Sequence, residues 1–100
     1  MGEIELTPEL LERAADMLRA VAHPVRIGII GLLEGERALT VTEIQKQLKV
    51  GQSSASHHLR ILKDRGVLQS RREGKNTFYS LRHERLRDIV TCINSCGRED

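Results

Sequence analysis

Residues Gln52 to Lys63 read Gln-Ser-Ser-Ala-Ser-His-His-Leu-Arg-Ile-Leu-Lys, and they hold the side chains best suited to reading a polar surface. On a helix, at about 100° per residue, Ala55, Leu59 and Leu62 share one face at i, i+4 and i+7. Ser53, Ser54, His57 and Arg60 fall mostly on the other face, and no carboxylate follows until Asp64. That face is cationic and rich in hydrogen-bonding groups. Such a helix suits the major groove of double-stranded DNA, where hydroxyls and amides meet base edges. A second candidate is Cys92-x-x-x-Cys96. Spacing of i, i+4 puts both thiols on one helix face, about 6 Å apart at Cβ. Together with a second protomer's pair they could bind a thiophilic metal or metalloid ion through four sulfurs. They could instead be a redox pair, although an intact helix strains that disulfide. They could also be structural, as small apolar residues. Nowhere does the chain show a nucleophile, base and orienter in sequence, or a glycine-rich phosphate loop, so no enzyme is expected.

The elements that must position these groups are short. One hundred residues make a single domain, 1–100. A domain of this size buries a modest fraction of its surface, so a dimer interface would help it. Phe78 and Tyr79 are the aromatics, which leaves Ala, Leu, Ile and Val to build the core and favours helices. No apolar run approaches the roughly 20 residues of a membrane span. The N-terminus lacks a basic segment followed by an apolar one. Leu6 stands where a myristoylation motif needs Ser or Thr. A cytoplasmic protein without membrane contact is the expectation. The net charge of +2 is unevenly spread: residues 1–48 sum to −3, residues 49–75 to +5 and residues 76–100 to zero. The positive block contains Lys49, Arg60, Lys63, Arg65, Arg71, Arg72 and Lys75, an electrostatic footprint suited to nucleic acid.

Thr7-Pro8-Glu9 predicts a helix start, with Thr as N-cap and Pro at the first helical position. That helix runs to about Val21, with an apolar stripe of Leu10, Leu11, Ala14, Leu18 and Val21 broad enough to face a second protomer. Residues 1–6 read as a loose lead-in. His23-Pro24 starts a second helix, about Pro24–Leu33, apolar nearly all round and hence deeply buried. Gly28 and Gly31 allow neighbours to approach it closely, and Gly35 ends it in the turn Glu34-Gly35-Glu36. Leu39–Val41 reads as a short strand. Thr42-Glu43-Ile44-Gln45 reads as a capping box opening a third helix, about Glu43–Leu48. A turn at 49–52 follows, with Gly51 as the cap of the next helix, giving a helix-turn-helix. Gly66 closes that helix. Val67–Arg72 and Asn76–Leu81 then form a hairpin around Glu73-Gly74-Lys75, a basic wing whose Arg71, Arg72 and Lys75 suit phosphates. A last helix, about His83–Asn94, carries Leu86, Ile89, Val90 and Ile93 as a stripe suited to a dimer seam. Residues 97–100 read as a frayed end.

This order of elements resembles the ArsR/SmtB family of winged-helix repressors over about residues 10–94. His23-Pro24-Val25-Arg26-Ile27 with the following Ile and Leu pairs is similar to the family's second helix. Gln52 to Leu59 with Leu62 is similar to its recognition helix, and Arg72-Glu73-Gly74-Lys75 with Tyr79 and Leu81 to its wing. The resemblance implies a mainly α winged helix-turn-helix with a small β-hairpin, dimeric through its first and last helices. It implies a homodimeric repressor on a palindromic operator, released by an inducer. By position, Gln52, Ser53, Ser56 and His57 would touch bases, and Arg60 and the wing residues phosphates. The family's last-helix metal positions correspond to His83, Arg85, Cys96 and Glu99, where Arg85 is a cation in place of a ligand. No cysteine stands near the helix-turn-helix or in the first two helices, so two other cysteine arrangements of the family are not reproduced. The rival expectation is a winged helix whose basic hairpin meets an acidic protein.

Overall fold

The computed structural model describes residues 5–35 and 37–96. The first four residues of the expected lead-in, Glu36, and the expected frayed end with Glu99 lie outside the described residues. Five helices and three strands follow one another: α1 Pro8–Val21, α2 Pro24–Leu32, β1 Leu39–Thr40, α3 Val41–Leu48, α4 Gln52–Asp64, β2 Leu68–Glu73, β3 Asn76–Leu81 and α5 Arg87–Cys96. A 3-10 turn, Glu84–Leu86, leads into α5. This is a mainly helical winged helix-turn-helix with a three-stranded antiparallel wing.

The core lies where α2, α3 and α4 meet the base of the wing. Ile29, Ile30 and Leu33 of the second helical segment, Ile44, Leu59, Leu62 and Val67 are fully buried. The α2 helix is buried at Ile29 and Ile30 but only half-buried over most of its length, less than its apolar circumference led one to expect; its glycines matter for packing. A Cβ on Gly28 would sit 3.0 Å from a Leu48 methyl, so α2 and α3 pack as closely as a residue without Cβ allows. Leu86 and Val90 of the last segment pack on this core, while Ile93 stays 51% exposed. On α1, Met17 and Val21 face the core, whereas Leu11 and Leu18 are 51% and 60% exposed. Each terminal helix thus has an apolar side left exposed among the described residues.

Several details of the elements differ from expectation, most of them for a local reason. The third helix starts at Val41, because the capping box is Thr40 with Glu43 rather than Thr42 with Gln45. Glu43 N–H donates to Thr40 Oγ1 at 3.2 Å, and Thr40 N–H donates to Glu43 Oε1 at 2.9 Å. A carboxylate accepts this return bond better than an amide does. Leu39 and Thr40 also pair with Tyr79 and Phe78, so the expected hairpin gains a third strand in the order β1-β3-β2. The first wing strand begins at Leu68, because Val67 N–H donates to Leu62 O at 2.9 Å while Gly66 N–H donates to Lys63 O at 3.0 Å. That bond pair is a Schellman ending, and Gly66 supplies its left-handed residue at φ +80°. In the helix-turn-helix turn, the left-handed residue is Lys49 at φ 57°, while Gly51 is extended at φ −74° and caps α4 as expected. The last helix begins later and ends later than expected, so Cys96 lies within it.

Thr40→Ala should lower stability by about 0.5–2 kcal/mol, the cost of a lost N-cap. Thr42→Ala should stay within about 0.5 kcal/mol, as an exposed substitution away from any cap. Urea midpoints of the two variants check the assignment.

Candidate nucleic-acid interface

The α4 helix divides along its length. Ala55, His58, Leu59 and Leu62 are buried, while Gln52, Ser53, Ser56, His57, Arg60 and Lys63 are exposed. Ser54 is half-buried at the edge between the two faces. Gly51 offers no side chain to cap the first turn. First-turn N–H groups without such a cap are suited to a phosphate oxygen. Beside the helix lies a cleft of about 660 Å³ lined by Ser53, Ser56, His57, Arg60, Lys63, Asp64 and Tyr79. The wing therefore walls the reading face on one side. The pairing of Tyr79 with Ser70 and Leu39 positions it there.

The three wing cations are not equivalent. Arg71 donates to Glu73 Oε2 at 2.7 Å and lies over the Phe78 ring, 5.6 Å from its centroid. Its charge is partly answered within the hairpin. Arg72 donates from Nε to the Gly74 carbonyl at 3.2 Å and so stiffens the turn. Gly74 sits at φ 63°, the conformation for which the turn needs glycine. Lys75 is exposed at the tip.

Behind the reading face lies His58, 7% exposed. Its Nδ1 accepts a hydrogen bond from Arg26 Nε at 3.0 Å. Arg26 Nη1 also donates to Ala20 O, at the end of α1, at 2.9 Å. The His23 ring lies 4.3 Å from that of His58, and the His57 ring 5.2 Å away on the outer side. Burial holds the His58 imidazole below its ordinary pKa of 6.5, reinforced by His23, Arg26 and His57. Its Arg26 partner has no signal in the sequence, since 32 residues separate the two.

Similarity to known proteins decides the family. A family model described as a helix-turn-helix domain matches residues 21–71. The chain is 42% identical to the transcriptional repressor SmtB of Mycobacterium tuberculosis, over 92% of this chain and 67% of that protein. It is 39% identical to the transcriptional repressor PagR of Bacillus anthracis, over 84% of each chain. The PagR crystal structure superposes with a TM-score of 0.77 at 33% identity, covering 87% of this chain and 99% of that one. A further match is the homodimeric winged helix-turn-helix DNA-binding domain of Mb0332 from Mycobacterium bovis, with a TM-score of 0.77 and 28% identity. It covers 94% of this chain and 89% of that one.

The chain belongs to the ArsR/SmtB family. It is a DNA-binding transcriptional regulator, in a family of regulators and not of enzymes. Among the described residues no helix is long and apolar enough to cross a membrane. The cleft also takes in Lys63, Asp64 and Tyr79, which the sequence reading did not count among the DNA contacts. Lys63 was findable, since it continues the Ser56–Arg60 face at i+3 from Arg60. Tyr79 was not, because its place depends on strand register.

Stability should fall on acidification. His58 has a folded-state pKa below its unfolded value, so its contribution is complete above about pH 6.5. As pH falls, the unfolded chain takes up a proton that the folded imidazole resists. The loss continues until pH passes the depressed folded value, then levels off. Urea midpoints between pH 8 and pH 5 should therefore decline, and decline less in His58→Asn.

Proposed function

We propose that the chain is a homodimeric transcriptional repressor that binds a palindromic operator through α4 and its wing. The observation that carries this reading is the division of α4, with one face wholly buried and the other exposed, polar and cationic. Gln52, Ser53, Ser56 and His57 read base edges, with Ser54 contributing from the margin. Arg60, Arg71, Arg72 and Lys75 hold the backbone. PagR and SmtB are transcriptional repressors, and the Mb0332 domain is homodimeric, which supports the same assignment here. The uncovered apolar sides of α1 and α5, at Leu11, Leu18 and Ile93, suit a two-fold seam. Two-fold symmetry sets two recognition helices into half-sites about one helical turn apart.

Duplex binding read by fluorescence anisotropy tests this. The probe is a duplex enriched from a random-sequence pool by the wild-type protein. His57→Ala with Arg60→Ala should weaken binding by about 1–3 kcal/mol for each base edge no longer read. Lys75→Ala should weaken all duplexes alike and reduce the salt slope by about one. Unchanged duplex affinity in the double variant sinks the reading and leaves the wing as a surface for an acidic protein.

Release is assigned to Cys92 and Cys96, as a thiol-reactive metalloid or soft metal site. Their sulfurs lie 3.8 Å apart, both exposed, on the helix that carries Ile93. Neither packs into the core of the single chain. The bond to Cys96 holds the Cys92 thiol above its usual pKa. Among the described residues no cluster of three or more candidate ligands stands together. One chain therefore offers two sulfurs, which suits a trivalent arsenical. Two S–As bonds form, two As–O bonds break, and the thiol protons leave in water without any redox change. Phenylarsine oxide is the probe. One equivalent per chain should survive excess monothiol, come off with a dithiol and release the duplex. Retention undiminished in Cys92→Ser, or release of the duplex without it, overturns the assignment.

A further inference from the structure

The second-helix motif His23-Pro24-Val25-Arg26 is not used by the DNA-facing surface, yet its side chains converge on the back of that surface. Arg26 is half-buried and makes two bonds at once, to Ala20 O at 2.9 Å and to His58 Nδ1 at 3.0 Å. It thereby joins the end of α1, the body of α2 and the buried side of α4. A guanidinium has donors only. His58 Nδ1 must therefore present a lone pair, and its ring proton sits on Nε2 in a neutral imidazole. His23 is held in the same way, its Nδ1 accepting from Val25 N–H at 3.1 Å as the cap of α2.

We propose that Arg26 is a positioning residue for DNA reading, which holds α4 in its DNA-binding seat through the neutral imidazole of His58. This rests on the reading of α4 as the helix that meets DNA. The mechanism follows from donor counting. A proton on His58 Nδ1 removes the acceptor that Arg26 uses and sets two cations 3.0 Å apart in a buried place. The groups facing the ring offer no relief. They are His23 at the start of α2, Arg26 within α2 and His57 on α4, and none can supply negative charge. Of the other elements packed on α4, neither α1, α3 nor β2 adds a charged group acting on the ring. The cheapest escape is separation of α4 from α2, which displaces the adjacent His57 from the reading face.

The sign of the pH effect separates this from simple electrostatics. Acidification by itself adds positive charge to a DNA-binding face and strengthens binding. Loss of the Arg26 bond weakens it. The probe is again a duplex enriched by the wild-type protein, at pH 8, read by anisotropy from pH 8 to pH 5.5 at constant ionic strength. Wild-type affinity should fall, approaching about tenfold per pH unit for each linked proton. His58→Asn puts an amide oxygen near the position of Nδ1 and does not titrate. Whatever its affinity at pH 8, it should lose the acid weakening. Arg26→Lys keeps the charge but gives up the planar fork that reaches two acceptors. It should bind more weakly at pH 8, with a flattened profile. Affinity that rises steadily on acidification in the wild type, or acid weakening that persists in His58→Asn, overturns the proposal. A second arm uses no DNA. Amide protection factors in α4 should drop on acidification in the wild type and hold in His58→Asn; an equal drop in both also overturns it. If no duplex is bound at any pH, the recognition reading of α4 fails, and the exchange arm still decides whether Arg26 seats the helix.

Discussion

Everything in this molecule depends on burying one side of α4 while displaying the other. Leu59 and Leu62 are removed completely from water against Ile29, Ile30 and Ile44, and Ala55 is fully buried as well. Each fully buried Leu or Ile contributes about 1.5–3 kcal/mol relative to exposure. A one-residue rotation of α4 would carry charged Arg60 and Lys63 toward that core. The apolar packing therefore sets the azimuth of the reading face as well as its stability. α1, α2, α3 and β2 all touch this one helix, so the rest of the fold acts as its mount.

Around that mount, the chain is punctuated by bonds that end one element and start another. Thr40 closes β1 and caps α3 within a single residue. Gly66 ends α4 with its two Schellman bonds and delivers Val67 into the core one residue before the wing. Arg72 ties the wing turn to itself. These bonds are individually modest, near 1 kcal/mol net. Their consequence is geometric: the wing returns beside α4, and Tyr79 and Arg60 come to line one cleft.

Polar groups in the structure divide by how far they are committed. Arg71, Arg72 and Arg26 are each engaged within the chain, by a carboxylate, a carbonyl, or an imidazole and a carbonyl. Lys75 at the wing tip and Arg60 on α4 present exposed charge instead. The two thiols form a third class. They stand in contact with each other on an exposed side of α5.

Much of this was legible in one dimension, because it depends on local periodicity and turn chemistry. The apolar spacing of Ala55, Leu59 and Leu62 determined which way α4 faces. Thr7-Pro8, His23-Pro24, Gly66 and Gly74 determined where helices begin and where the chain turns. The motifs at 23–27, 52–59 and 72–75 pointed to the family. Local choices between near-equal options were less legible: Thr40 and Thr42 both suit a cap, and Thr40 prevails with a carboxylate three residues on and a strand partner behind it. What only the tertiary structure decided is which distant residues meet. Strand register put Tyr79 beside α4, and the crossing of α2 and α4 put Arg26 on His58. Such meetings leave no periodic trace in the sequence, because they depend on how whole elements pack, and packing is settled by the summed burial of the core rather than by either residue of the pair.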